Sequence, residues 1–220
     1  MKPLIVANWK CHPKTLKEAK ELFALIKKGI KGVKEVEVVV APPFVFLPFL
    51  KPEGNLKLGA QDCFWEEKGA FTGEVSPGTL ADLNCSYVIL GHSERRKLQK
   101  ETDEEINKKI KAALKEGLMP ILCVDQVSQV EKGLEGVVEK IVIAYEPLFA
   151  IGTGKACDYQ TAENMRLAIQ KIAKGNRVLY GGSVNSQNAG DYLKKAGFDG
   201  LLVGGASLSE EFIEIVLQVV

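Results

Sequence analysis

Short apolar runs alternate along this chain with longer segments in which apolar residues recur every three or four positions. The longer segments, such as residues 16–30 and 106–114, have the period of amphipathic helices. The short runs are rich in Val, Ile and Leu and have the length of buried strands. They occupy residues 4–7, 36–41, 56–60, 87–90, 120–124, 141–145, 177–180 and 200–203. The pattern predicts eight consecutive βα units.

Eight βα units can be arranged in two ways. Right-handed crossovers produce a parallel sheet, which either closes into a barrel or stays open with helices on both faces. The number of units favours an α/β fold of the closed (β/α)8 type. A chain of 220 residues, 46% of them hydrophobic, can fill one core, so we expect residues 1–220 to form a single domain. The fifth unit is shortened, because only residues 126–140, which include Gly133 and Gly136, separate its strand from the next.

The expected helix ends carry two kinds of signal. Gly117 and Gly175 stand where a glycine at the C′ position would end a helix. Two pairs of residues have the spacing of a capping box, which predicts a helix start: Thr102 with Glu105, and Ser207 with Glu210.

Composition limits the classes of partner. The 29 basic and 28 acidic residues leave no net charge to attract nucleic acid or an acidic membrane, so we expect a small-molecule partner. The five cysteines are far apart and form no CxxC pair, which fits reduced thiols in a cytoplasmic protein. The first apolar run is too short for a signal sequence, and no run approaches the roughly 18 apolar residues of a membrane span.

Polar residues and glycines follow the predicted strands directly. In a parallel barrel the carboxyl ends of all strands meet at one face, so these residues are expected to lie together there. They are Asn8, Lys10, Gln61, His92, Asp125, Glu146, Gly181, Gly182, Ser183, Gly204 and Gly205.

Three of these side chains are candidates for chemistry. Glu146, between a buried strand and Pro147, is either a solvated loop carboxylate or a base whose pKa is raised by desolvation. His92 is either a hydrogen-bonded structural residue or a functional imidazole, and its place at a strand end favours the second interpretation. Lys10 is either a surface lysine or the partner of an anionic substrate.

Three glycine-rich segments complete the pattern. Residues 180–183 and 203–206 follow the last two strands, and their backbone N–H groups are suited either to tight turns or to binding phosphate. Residues 151–155 lack the full nucleotide-loop pattern and are interpreted as part of a lid. A base, an imidazole, a phosphate site and a lid together indicate proton abstraction beside the carbonyl of a small phosphorylated sugar.

Several motifs resemble those of the triosephosphate isomerase family, in order and spacing, over essentially the whole chain. They are ANWK (residues 7–10), GAQD (59–62), GAFTGEVS (69–76), GHSERR (91–96), AYEP (144–147), IGTGK (151–155), YGGSV (180–184) and LVGGASL (202–208). The resemblance implies a TIM barrel that interconverts dihydroxyacetone phosphate and D-glyceraldehyde 3-phosphate in glycolysis and gluconeogenesis. It implies no metal and no organic cofactor.

The resemblance also implies catalytic roles, and the family is the standard example of a glutamate base beside a neutral histidine. Glu146 would move a proton between C1 and C2 of the substrate, and His92 would polarise the carbonyl. Lys10 would balance the charge of the phosphate and the enediolate, and Asn8 would contact the reacting oxygens.

Further residues would bind the substrate or support the site. Glu94 would pair with Lys10, and Ser93 would support the same side of the site. Closure of residues 147–155 would exclude water and suppress loss of phosphate from the enediolate. The phosphate-binding residues would be Gly152, Ser183, Gly204 and Gly205.

The segment of residues 61–76 resembles the family loop that reaches into a neighbouring subunit, with Thr72 near the partner's catalytic lysine. A homo-oligomer is therefore expected. The shortened fifth unit resembles compact members of the family, some of which are tetramers, so both a dimer and a tetramer remain open. A surface loop is the alternative, but it would expose Phe64, Trp65 and Phe71.

Some positions depart from the family pattern, and two other functions remain as alternatives. Leu148-Phe149 replaces Val-Trp, Asp125-Gln126 replaces Gly-Glu, and Ala156-Cys157 is atypical, which bears on the lid rather than on the reaction. Another sugar-phosphate isomerisation or epimerisation would keep the barrel but is disfavoured by GHSER beside AYEP. A non-catalytic barrel would be expected to lack Lys10, His92 or Glu146, and all three are present.

Overall fold

The structure is a computed structural model that describes residues 1–150 and 156–220. Within these residues, eight parallel strands form a closed barrel in chain order, and β1 and β8 pair through Leu4 and Gly200. The strands are β1 (Leu4–Asn8), β2 (Glu37–Ala41), β3 (Leu56–Ala60), β4 (Cys85–Leu90), β5 (Met119–Val124), β6 (Val142–Tyr145), β7 (Arg177–Tyr180) and β8 (Gly200–Val203). The closed barrel confirms the predicted fold class and excludes the open sheet.

Helices connect most of the strands on the outside of the barrel. They are α1 (Leu16–Gly29), α2 (Pro77–Asp82), α3 (Ser93–Leu98), α4 (Asp103–Lys115), α5 (Val127–Gly133), α6 (Tyr159–Ile172), α7 (Ala189–Lys194) and α8 (Glu211–Gln218). The fifth helix, α5, has only seven residues, as predicted. The second unit differs from the βα pattern, because a 3₁₀ helix, Phe44–Phe49, follows β2 instead of an α-helix. Pro48 lies inside this segment and lacks the N–H that would continue a longer helix.

The helix ends agree with the sequence in part. Thr102 and Glu105 form both hydrogen bonds of a capping box, and Gly117 has a φ of 75° just beyond the end of α4. The predicted cap at Ser207 is wrong. This residue is buried in a 3₁₀ turn, Gly205–Leu208, and its hydroxyl donates to the Asn8 carbonyl, while α8 begins at Glu211. The C-cap of α6 is Ala173, so Gly175 lies two residues beyond it rather than at the predicted C′ position.

The apolar core has two layers, because alternate residues of a strand point to opposite faces. Leu4 and Val6 belong to the cluster that fills the barrel, whereas Ile5 and Ala7 belong to the cluster beneath the helices. The barrel closes tightly where β8 meets β1. A Cβ atom on Gly200 would lie 1.9 Å from the Leu4 carbonyl oxygen, so a residue with a side chain cannot occupy this position without displacing β1.

Two further expectations concern the whole chain. The five cysteines are all free, and all except Cys11 are buried, which agrees with the interpretation as reduced thiols. Among the described helices, none is long and apolar enough to cross a membrane.

Candidate active site

A cavity of about 330 Å³ opens at the carboxyl ends of the strands. It brings together residues from opposite sides of the barrel, as expected for a parallel barrel. Its lining includes seven of the residues that the sequence predicted for the site: Asn8, Lys10, His92, Glu146, Ser183, Gly204 and Gly205. Gly152, also predicted for the site, lies outside the described residues.

Glu146 and His92 are in direct contact at one side of this cavity. Glu146 follows β6 and is only 2% exposed. Its Oε1 lies 3.0 Å from His92 Nε2, and its Oε2 accepts a hydrogen bond of 2.9 Å from the backbone N–H of Ser93. The two donors therefore hold both oxygens of the carboxylate.

These contacts change the expected pKa of Glu146. Burial raises the pKa of the carboxyl group, but the His92 imidazole and the Ser93 N–H favour the ionised form and lower it below its usual value. The sequence-based expectation of a raised pKa is thus wrong for this arrangement. Desolvation is present as expected, but it is outweighed by donors that the sequence around Glu146 does not show.

The hydrogen bonds of His92 indicate its protonation. His92 is the N-cap of α3, and its Nδ1 accepts a hydrogen bond of 3.2 Å from the backbone N–H of Glu94. A nitrogen that accepts a hydrogen bond carries no proton, so the single proton of a neutral ring lies on Nε2. That nitrogen faces Glu146 and the cavity.

Lys10 is held in a left-handed backbone conformation with a φ of 52°. Its N–H donates to Asn8 Oδ1 at 3.0 Å, and its carbonyl accepts a hydrogen bond of 2.8 Å from Gln61 Nε2. Its Nζ lies 2.5 Å from a carboxylate oxygen of Glu94. Contacts with Asn8 of β1, with Gln61 just after β3 and with Glu94 of α3 therefore fix both the backbone and the amine of this residue.

The opposite wall of the cavity consists mainly of backbone. Gly181, Gly182 and Ser183 follow β7, and Gly204 with Gly205 follows β8. Backbone N–H groups in such a wall suit an anion, and Lys10 supplies a positive charge beside them. The Ser183 hydroxyl donates to the carbonyl of Ala150, which belongs to the predicted lid and directly precedes the residues that the structure does not describe.

The family model for triosephosphate isomerase matches residues 3–219. The chain belongs to the triosephosphate isomerase family. A triosephosphate isomerase from Dictyoglomus turgidum is 44% identical, and the match covers 97% of this chain and 98% of the relative. Relatives of the same name from Dictyoglomus thermophilum and Geobacter metallireducens are 45% and 43% identical, over 94% and 95% of this chain and 95% of each relative.

In this member of the triosephosphate isomerase family, the cavity also involves residues that were not predicted from the sequence. Gln61 was noted only as a strand-end residue, but it holds the Lys10 backbone. Asn185 and Glu211 also line the cavity. Glu211 accepts a hydrogen bond of 3.1 Å from the backbone N–H of Ser186. Nothing in the sequence around Glu211 indicated a site residue, because the helix was expected to begin at Ser207.

Two further observations concern Thr72 and the distribution of metal-ligating side chains. Thr72 is exposed on the long loop that follows β3. Within residues 1–150 and 156–220, no group of three or more His, Cys, Asp or Glu side chains could hold a metal ion.

Proposed function

We propose that this cavity is the active site in which the chain interconverts dihydroxyacetone phosphate and D-glyceraldehyde 3-phosphate, in glycolysis and gluconeogenesis. The observation that carries the proposal is the contact of a buried carboxylate, Glu146, with the neutral imidazole of His92, opposite a wall of backbone suited to phosphate. This arrangement provides a base, an electrophile and an anion site in one cavity.

Glu146 acts as the base that moves a proton between C1 and C2 through an enediolate. For this step the substrate carbonyl takes the place of the carboxylate at His92 Nε2, which frees Glu146 to face the carbon. The His92 donor that lowers the pKa of Glu146 is then lost to it, while its burial remains. The basicity of Glu146 therefore rises when substrate binds.

His92, Lys10 and Asn8 stabilise the developing negative charge. The Nε2–H of His92 donates to the carbonyl oxygen, which becomes an enediolate oxygen in the transition state. Lys10 lies beside the glycine wall, where a Cβ on Gly204 would be 3.8 Å from its Nζ, and Glu94 orients its amine. Asn8 holds the Lys10 N–H and borders the reacting oxygens. Ser93 supports the resting position of the base.

Phosphate binds to the wall formed by Ser183, Gly204 and Gly205, and we assign Gly152 to the same group. The segment of residues 147–155 serves as a lid that excludes water from the enediolate. Support for this role comes from Ala150, which is held by the Ser183 hydroxyl of the phosphate wall.

The chain acts as a homo-oligomer, either a dimer or a tetramer, of single-domain cytoplasmic subunits. The loop after β3 is the contact, with Thr72 near the Lys10 of a neighbouring subunit. In this loop the rings of Trp65 and Phe71 each pack against Phe64, with centroids 4.2 Å and 4.7 Å from its own, and Phe64 is buried. Phe71 remains 43% exposed and is the aromatic side chain available to a partner.

The test is the rate of dihydroxyacetone phosphate isomerisation by the purified chain and by Glu146→Gln, with gel filtration of both. Loss of the base is expected to reduce kcat by about 10³-fold. Glu131→Gln, an exposed glutamate on α5, is the matched control and keeps the wild-type rate. An inactive wild type that is folded and oligomeric would contradict the proposal and direct attention to other phosphorylated sugars.

A further inference from the structure

Two tyrosines hold the backbone of one residue just beyond the predicted lid sequence. The Tyr192 hydroxyl donates to the carbonyl of Cys157 at 2.5 Å, and the N–H of Cys157 donates to the Tyr180 hydroxyl at 3.2 Å. All three residues are buried. Both polar groups of a single residue are therefore satisfied by side chains, one from the end of β7 and the other from α7.

The two hydroxyl groups act in opposite ways on Cys157: Tyr192 donates to its carbonyl, and Tyr180 accepts from its N–H. The only hydroxyl proton of Tyr192 is used on the Cys157 carbonyl. The result is a pair of hydrogen bonds that fixes both polar backbone groups of Cys157. Such bonds are stronger in a dry interior than in water, because the local dielectric is low.

The aromatic rings connect this pair of hydrogen bonds to the cavity. Tyr180 and Tyr192 stack with their centroids 3.6 Å apart and their planes 15° apart, and Phe198 covers both edges. The Tyr180 hydroxyl lies directly against Gly182, where an added Cβ would be only 2.3 Å from it. Since Gly182 lines the cavity, a shift of Tyr180 would move the wall proposed to hold phosphate.

The β7–α7 unit thus contacts the chain on both sides of the undescribed residues. Ser183 binds the carbonyl of Ala150, and the tyrosine pair binds Cys157. Ala150 lies four positions after the proposed base, and Cys157 directly precedes Asp158, which caps α6.

We propose that Tyr192 is a positioning residue of the isomerisation: its hydroxyl fixes Cys157 and its ring fixes Tyr180 beneath Gly182. This inference rests on the proposed function. Tyr192 does not line the cavity. Its proposed role is to hold the phosphate wall and Cys157, which follows the lid sequence, in fixed relative positions.

The consequence concerns the fate of the enediolate. If water reaches this intermediate, its C3–O bond breaks and phosphate leaves with the bonding electron pair. The remaining enol then tautomerises to methylglyoxal, so no oxidant or reductant is required. The ratio of inorganic phosphate released to triose isomerised therefore reports how well the site stays closed, independently of overall stability.

The experiment compares wild type, Tyr192→Phe and a protein with 4-aminophenylalanine at position 192. Phenylalanine keeps the stacked ring but removes the donor, whereas the amino group restores a donor at the same position. Tyr87→Phe is the matched control, because Tyr87 is also buried but lies in the first half of β4 and does not line the cavity. For each protein, kcat, KM, phosphate release and the thermal midpoint are measured.

Tyr192→Phe is expected to lower kcat by about fivefold, the effect of one buried hydrogen bond, with a larger fraction of phosphate released and little change in KM. The amino analogue is expected to restore both quantities. Equal behaviour of Tyr192→Phe and Tyr87→Phe, or no restoration by the analogue, would overturn the inference. An inactive wild type would contradict the proposed function instead, and hydrogen exchange of the Cys157 amide would still test the tyrosine pair in that case.

Discussion

The chain places buried carboxylates in two groups of ionisable side chains, and the groups differ in what surrounds these acids. Glu146 and His92 border the cavity at the mouth of the barrel. The second group, here called the charge cluster, consists of Asp62, Arg95, Glu101 and Lys109 and joins the loop after β3 to α3 and α4. In the described part of the chain, none of these four residues lines the cavity.

The partners of the acids explain the difference. Lys109 Nζ lies 2.9 Å from both carboxylate oxygens of Asp62 and also binds Glu101, and Arg95 lies 2.8 Å from Asp62. Lys109 and Arg95 carry permanent positive charges, and only a change of fold could separate them from these acids. Glu146 is instead held by a neutral imidazole and a backbone N–H at the edge of a cavity. In the proposed mechanism a substrate competes for those donors, so we expect the same burial to serve stability in one place and reactivity in the other.

The pKa values differ in the same way. Burial raises the pKa of Asp62 to about 6. Lys109 opposes this rise, whereas the nearby acid Glu101 adds to it. The pKa of Glu146 is lowered although it is more deeply buried. Burial alone therefore does not identify a catalytic carboxylate, and the type and mobility of its partners must be known.

The largest expected effect is on stability when the charge cluster loses its central base. Lys109→Met leaves Asp62 and Glu101 buried without the amine, which is expected to lower the free energy of unfolding by about 3–5 kcal/mol. Urea unfolding at fixed protein concentration measures the change. The kcat of the folded variant is expected to remain close to that of wild type.

Lys111→Met is the matched control, because this lysine is exposed on the same helix. Its expected effect is below about 0.5 kcal/mol. If Lys109→Met were as stable as this control, the charge cluster would contribute nothing that an apolar side chain cannot replace.

The next largest effect is on the pH dependence of stability, which has opposite signs for Asp62 and Glu146. The folded-state pKa of Asp62 is raised from 3.8 to about 6, so folded protein binds the proton more tightly than unfolded chain. Its contribution to stability is present below pH 3.8 and is lost as the pH rises through about 6. From these two values, the loss is about 3 kcal/mol.

Asp62→Asn is therefore expected to remove this decline between pH 4 and pH 6.5, measured by urea unfolding across the range. Glu146→Gln is the control. The lowered pKa of Glu146 gives stability that is present above its ordinary pKa and lost as the pH falls, so this variant keeps the decline due to Asp62. Parallel pH profiles for wild type and Asp62→Asn would show that Asp62 does not titrate in this window.

Much of the fold follows from local sequence. A strand buried on both faces requires a continuous apolar run, so the eight runs locate the strands to within two residues at either end. The candidate site follows from one geometric rule, because the residues directly after the strands meet at one face. The family motifs add roles that this rule does not provide.

Long-range contacts explain the errors. The Ser93 N–H that donates to Glu146 lies 53 residues away in the chain, and His92 directly precedes Ser93. The residues next to Glu146 in sequence therefore predicted its desolvation but not these opposing contacts. Ser207 has the right spacing for a cap, but the nearby end of β1 offers its hydroxyl a buried carbonyl on Asn8, 199 residues away. Local patterns predict an element well where burial alone determines it, and poorly where a distant polar group competes.

The smallest expected effect concerns Gln61, which connects the two groups. It precedes Asp62 of the charge cluster, and its Nε2 donates at 2.8 Å to the carbonyls of both Lys10 and Ala41. Lys10 has a positive φ that is costly for a residue with a side chain, so it requires such support. Gln61→Ala is expected to reduce kcat/KM by about tenfold, with a change in unfolding free energy of about 1 kcal/mol.

Gln160→Ala, at an exposed glutamine on α6, is the control for the loss of an amide side chain. The isomerisation assay and urea unfolding together separate two explanations. Reduced kcat/KM with nearly unchanged stability would mean that Gln61 serves the site by keeping Lys10 in its strained conformation. If kcat/KM equalled that of the control, Asn8 and Glu94 would suffice to position Lys10, and the charge cluster and the active site would be independent neighbours rather than parts joined through Gln61.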